Sequence, residues 1–225
     1  RMSAPAGTVG TYARTGAPSR RLVLDPWVIG PVAALLLIGL VMVASASIGI
    51  SEKETGEAFS YFQRQFVFVC LGLVGATVGL AVPTRLWEKY SIWLLAGALL
   101  LLTLVLIPGI GYTVNGARRW VRLGFMNFQV SELARVLLLT YVASYAVRRA
   151  DELRGSFKGF LTPVLVLGGA AVLLLIEPDF GAATVLLATG IAVLFLAGAR
   201  ISHLLVPVVI GVAGMATLAV TSAYR

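Results

Sequence analysis

The chain has 225 residues, 59% of them hydrophobic and only 12% charged, with a formal net charge of +8. That balance excludes a water-soluble domain and indicates an integral membrane protein. A lone cysteine, Cys70, excludes a disulfide framework. The basic residues fall in short clusters between apolar runs, where they set membrane topology instead of binding nucleic acid.

The expected fold class is all-α, a polytopic transmembrane helix bundle. Residues 1–26, rich in Gly, Ala, Ser and Arg without apolar periodicity, read as a flexible basic tail. Arg14, Arg20 and Arg21 place that tail in the cytoplasm. Residues 27–225 read as one transmembrane helical domain. The first apolar run, Trp27 to about Ile50, has the ~20 residues that cross a bilayer and is too long for the core of a cleavable signal peptide. A polar loop over residues 51–64, with Glu52, Glu54 and Glu57, suits the outer side. The second span, about Gln65–Val82, carries Gly75-x-x-x-Gly79, a close-packing face for a neighbouring helix. Pro83 ends it, and Arg85 and Lys89 mark an inner turn.

A third span from about Ser91 to Ile107 leads out to a polar central stretch. A fourth, from about Ser131, returns to the inner cluster Arg148, Arg149, Arg154 and Lys158. The fifth, about Phe160–Ile176, and the sixth, ending at Ala197, flank an outer turn, Glu177-Pro178-Asp179-Phe180-Gly181. Arg200 and His203 mark another inner turn, where the histidine reads as an interfacial residue. The seventh span ends near Tyr224-Arg225 directly on an apolar run, an ending that leads us to expect further spans.

The central stretch, NGARRWVRLGFMNFQVSELAR from Asn115 to Arg135, strains the charge rule. It holds Arg118, Arg119, Arg122 and Arg135 on the side where basic residues are few, interleaved with Trp120, Phe125 and Phe128. One reading is a site for an anionic, amphiphilic ligand such as a polyprenyl phosphate. The other is an interfacial helix whose arginines meet lipid headgroups. Next to it, Ser131 reads as a helix N-cap, and Glu132 and Arg135, three apart, share a helix face expected to turn into the bundle. Glu177 and Asp179 are two carboxylates at a helix–helix turn. They suit cation binding or acid–base work, and Asp179 also suits capping the next helix. No Cys/His metal spacing, nucleophile elbow or phosphate-binding glycine loop is present.

Several of these residues carry a family resemblance: VMVASAS at 41–47, NGARRWVRLG at 115–124, the Gln129-x-Ser131-Glu132-Leu133 core and EPDFG at 177–181. From Asp25 to Arg225 the chain resembles the SEDS family (shape, elongation, division and sporulation; FtsW, RodA and SpoVE), and most of all its cell-division branch. It departs where Val130 replaces the usual proline and Arg135 the usual lysine, so charge is retained while proton transfer by that residue is not supported.

The resemblance implies a bundle of about ten spans and a peptidoglycan glycosyltransferase that polymerises lipid II at the outer face of the bacterial cytoplasmic membrane. It implies a divalent cation, Mg²⁺ or Mn²⁺. It further implies a class B penicillin-binding protein (FtsI-like) as partner, with FtsQ-, FtsL- and FtsB-type divisome proteins at the septum. The catalytic aspartate of such proteins lies in an outer loop after the seventh span, so it is expected beyond Arg225, and a chain ending there is expected to be inactive. Within this chain Arg119 and Arg135 become the expected diphosphate ligands. Trp120 holds the loop at headgroup depth, Glu132 orients Arg135, and Asp179 shapes the cavity or holds the cation. Arg118, Arg122, Gln129, Ser131 and Glu177 are secondary candidates. A lipid II flippase and a non-catalytic division scaffold remain as alternatives; polar groups crowded at one face favour surface chemistry over transport.

Overall fold

The computed structural model describes residues 25–114, 117–123 and 126–221; residues 1–24, most of the expected tail, lie outside them. The contacts divide the chain after Ala81 into two compact units.

The first unit is a helical hairpin of α1 (Pro26–Thr55) and α2 (Ser60–Ala81). The Asp25 carboxylate caps α1 by accepting from the Trp27 N–H at 2.9 Å, and Pro26 sits where a missing N–H does no harm. The helix runs on past Ile50, so most of the loop expected over residues 51–64 is helical. Helix-tolerant Glu and Lys side chains continue it until Gly56, whose φ of 75° is a left-handed cap. The short turn is closed by buried Ser51, whose hydroxyl donates to the Glu57 carbonyl at 2.5 Å and lies 2.8 Å from Ser60 Oγ. At Gly75 and Gly79 a Cβ would meet nothing within 4 Å, so the expected close-packing face is unused among the described residues.

The second unit runs through α3 (Thr84–Lys89), α4 (Ser91–Leu106), β1 (Tyr112–Val114), β2 (Ala117–Leu123), β3 (Met126–Gln129), α5 (Val130–Arg148), α6 (Ala150–Gly155), α7 (Phe157–Ile176), α8 (Phe180–Leu196) and α9 (Ile201–Thr221). The stretch expected as a loop or interfacial helix is an antiparallel sheet in the order β1-β2-β3, with Trp120 opposite Gln129 and Val121 opposite Phe128. The ladder satisfies backbone groups that have no helical partner. Val121 and Phe128 pack on the core, and Arg119, two residues along the strand, shares their face.

The core is built on α5, whose buried Ala134, Leu138 and Val142 belong to one cluster with Ala98 and Leu102 of α4, Leu167 and Ala171 of α7, and Ala183 and Leu186 of α8. Small residues let the backbones approach, as membrane helices require. At Gly190 of α8 a Cβ would lie 2.5 Å from Leu167 Cδ1. At Gly159 it would lie 2.4 Å from the Glu152 carbonyl oxygen, so α6 and α7 meet through bare backbone.

Among the described residues, α1, α2, α5 and α7 are long and apolar enough to cross a membrane; α4, α8 and the Ile201–Gly214 part of α9 are shorter apolar helices. The all-α polytopic class stands, with the small sheet as an addition at one end. The chain order puts the strands and the Glu177–Asp179 turn at that end of the unit and α6 at the other.

Candidate functional site

Asp179 is the centre of the sheet end. It is the N-cap of α8, the role its position in the sequence suited: Oδ1 accepts from the Ala182 N–H at 3.1 Å. The same oxygen lies 3.3 Å from Arg119 Nη1 of β2. Oδ2 accepts from Ser131 Oγ at 3.1 Å and from Gln129 Nε2 at 3.3 Å. Gln129 Nε2 also reaches Ser131 Oγ at 3.0 Å. Four donors from four elements thus converge on one carboxylate that is 3% exposed. A carboxylate so occupied fixes other groups in place and is a poor candidate for acid–base work.

Ser131 is therefore not the helix cap. Strand β3 runs straight into α5, so Gln129, still extended, holds the N-cap position without a side-chain cap bond. Ser131 falls inside the first turn, and its hydroxyl turns to Asp179.

Glu177, which follows α7 directly, is fully buried, and neither carboxyl oxygen has a hydrogen-bond partner among the described residues. Burial, with the Asp179 charge adding to it and Arg119 opposing, pushes its pKa up to about 8. Glu177 is thus a neutral acid at pH 7, able to donate a hydrogen bond. Two further buried polar atoms, Arg119 Nε and Trp120 Nε1, lack partners among the described residues. Both are donors, and buried donors call for an acceptor.

The other candidates separate from this cluster. Arg122 lies over the Tyr112 ring, 3.7 Å from its centroid, a cation–π contact that holds it away from Asp179. Tyr112 is not among the expected site residues; its position before an arginine-rich strand is the only signal for it. The Arg118 side chain lies outside the described residues. Glu132 and Arg135 form the expected ion pair, but the shared face is split: the Arg135 side chain is 18% exposed and that of Glu132 is 58% exposed. Arg135 turns inward as expected, and Glu132 stays on the open side.

For the divalent cation the donor set does not fit. No three His, Cys, Asp or Glu side chains gather among the described residues, and Asp179 is already filled by donors. At the far end His203 packs edge-on against Phe157, ring centroids 5.4 Å apart, and beside Phe160 at 5.6 Å.

Comparison with known proteins extends these observations. Residues 27–225 match the FtsW/RodA/SpoVE family, described as cell cycle proteins. The probable peptidoglycan glycosyltransferase FtsW of Thioalkalivibrio sulfidiphilus is 50% identical over 194 residues, 86% of this chain and 48% of that protein. The protein of the same description from Halorhodospira halophila is 49% identical over 202 residues, 90% of this chain and 51% of that one. Among solved structures, the rod shape determining protein RodA of Thermus thermophilus superposes with a TM-score of 0.72 at 31% identity, covering 88% of this chain and 60% of RodA. A chain of a peptidoglycan synthase complex, described as coordinating polymerization and crosslinking, gives a TM-score of 0.68 at 30% identity, over 91% of this chain and 55% of that one. The chain spans about half the length of the curated relatives it matches.

Proposed function

Because the chain belongs to the FtsW/RodA/SpoVE family of cell cycle proteins, we propose that it serves a peptidoglycan glycosyltransferase that polymerises lipid II at the outer face of the bacterial cytoplasmic membrane during septal wall synthesis. The observation that carries the reading is the Arg119–Asp179 pair, which ties the sheet to the start of α8. Asp179 holds one edge of the guanidinium, while its buried Nε–H has no partner among the described residues. A fixed guanidinium with a free donor suits a phosphate oxygen. When a glycosyl bond to a diphosphate breaks, negative charge grows on the departing diphosphate. A cation already in place stabilises that charge without reorganising. Arg135, steadied by Glu132, offers a second cation at the same end. The base that activates the acceptor hydroxyl is not assigned to these residues.

Lysine keeps the charge of Arg119 but loses the forked geometry. Arg119→Lys is expected to lower lipid II polymerisation by ten- to a hundredfold, the ~1.5–3 kcal/mol of a charged hydrogen bond. Arg122→Lys, whose residue rests on Tyr112 away from Asp179, should keep most of its activity. Equal activity in both variants at matched protein levels would leave only a basic belt meeting anionic headgroups.

The reading needs the sheet outside and the N-terminus in the cytoplasm, as the basic cluster at the far end supports. In intact cells a membrane-impermeant thiol reagent should modify Thr113→Cys and spare Arg154→Cys. The opposite pattern would sink both orientation and function. The expected partner is a class B penicillin-binding protein, together with FtsQ-, FtsL- and FtsB-type division proteins. The likeness to a chain of a synthase complex that couples polymerization to crosslinking supports the first of these.

A further inference from the structure

The end of the second unit away from the sheet holds a cavity of about 690 Å³ between the start of α4, the end of α5 and the α6–α7 corner. The reaction proposed above does not use it. Its floor is firm: Tyr141 and Tyr145 are buried, and the Tyr145 hydroxyl donates to the Gly159 carbonyl at 2.8 Å. Its walls are charged, with Arg148, Arg149, Glu152 and Lys158 around them. Glu152 takes up Arg149, whose Nη1 reaches both carboxylate oxygens at 2.8 and 2.9 Å. Among the described residues Arg148 bonds to uncharged groups, through Nη2 to Ser91 Oγ at 2.8 Å and through Nε to the Ser144 carbonyl at 3.4 Å. It is held in place with its charge unanswered. The Lys158 ammonium has no partner among the described residues. Lys158 also lies in the first turn of α7, whose positive end adds to the field. On one side Ile92, 60% exposed, carries the cavity onto the apolar outer surface of α4.

We propose that this cavity binds the phosphodiester headgroup of an anionic phospholipid from the leaflet that this end of the bundle meets. Basic pockets between transmembrane helices hold such headgroups, because two or three cations at the hydrocarbon boundary meet a phosphate without either being carried into the apolar layer. Arg148 is preorganised by Ser91, so little side-chain freedom is lost on binding. The apolar flank at Ile92 gives the acyl chains a surface to follow, which a soluble phosphate would not use. The volume lies within the ~300–1,000 Å³ of ligand sites.

The test is native mass spectrometry of the purified protein, titrated in neutral detergent with phosphatidylglycerol or phosphatidylcholine of matched acyl chains. Phosphatidylglycerol should bind about tenfold more tightly, and Lys158→Gln should remove most of that preference, as loss of one charged contact implies. Arg200→Gln, a charge change outside the cavity, should leave it intact. Should Arg148→Gln misfold for want of its Ser91 anchor, Lys158→Gln and Lys158→Glu carry the test alone, with unchanged unfolding midpoints as the check on folding. Equal retention of the two lipids, or a preference untouched by both Lys158 substitutions, overturns the proposal. Displacement of the lipid by an equal concentration of soluble glycerophosphoglycerol also overturns it, in favour of a water-borne phosphate ligand.

Discussion

Asp179→Ala is expected to abolish lipid II polymerisation and to lower stability by about 2–4 kcal/mol, the sum of a lost helix cap and a buried donor left without its acceptor. The loss has three physical parts. The α8 N-terminus loses its cap, worth ~1 kcal/mol. The Ser131 hydroxyl, fully buried, loses its acceptor at 3.1 Å. Arg119 keeps a half-covered charge without its counterion 3.3 Å away. Asp179→Asn separates these parts, since asparagine caps a helix as well as aspartate does and still offers an acceptor to the Ala182 N–H. Its unfolding midpoint should fall less than that of Asp179→Ala, because the cap survives while the new amide nitrogen faces the Gln129 donor, and polymerisation should fall at least about tenfold because Arg119 is no longer held by charge. Thermal unfolding in detergent and glycan synthesis from lipid II, measured on both variants, check the two halves. Normal synthesis by a folded Asp179→Asn protein would remove the Arg119–Asp179 pair from the reaction.

The second large effect concerns Glu177 and has a definite sign. Its pKa rises from 4.5 in the unfolded chain to about 8 in the fold. Between those values the folded state holds a proton that the unfolded state has released, so stability falls as pH rises. The fall begins near the unfolded value and is complete once the pH has passed the folded one. Each pH unit inside the window costs up to about 1.4 kcal/mol, on the order of several kcal/mol across it. Glu177→Gln keeps the shape and a hydrogen-bond donor but cannot ionise. It should match the parent below pH 4.5 and exceed it by several kcal/mol at and above pH 8, within the window set by the same shift. Unfolding midpoints measured across that range would decide the matter; parallel curves for parent and variant would show that Glu177 does not titrate in this window. If the neutral acid also serves the substrate, polymerisation by the parent should decline above its pKa, and the variant should not share that decline.

Much of the molecule is legible in the amino-acid sequence. Trp27–Ile50 and Phe160–Ile176 have to be helices, because a bilayer leaves a long apolar segment no other way to satisfy its backbone. The residues that form the site, Arg119, Gln129, Ser131 and Asp179, stand out as polar groups in unusual places. Some local structure is hidden. Arginines at 118, 119 and 122 interrupt strict alternation, so the strands read as a loop or helix. The cue that does point to them is the Asn115-Gly116 dipeptide, a strong hairpin signal, between Val114 and Ala117, which pair. Ser131 has the side chain of a cap, but a short strand before α5 moves the cap position back to Gln129.

What the sequence by itself determined was the membrane class, the order of the spans and the choice of polar residues, all set by short segments meeting lipid or water. Only the tertiary structure decided that Gln129 and Asp179, 50 residues apart in the chain, share a hydrogen bond, that Asp179 is filled with donors, and that Glu177 is sealed from water. Helices that are apolar all round carry no stripe to tell the face that packs from the face that meets lipid. Which side chains converge is therefore settled by the fit of small residues such as Ala134, Ala183 and Gly190 between helices, a property of surfaces in contact that no single segment contains.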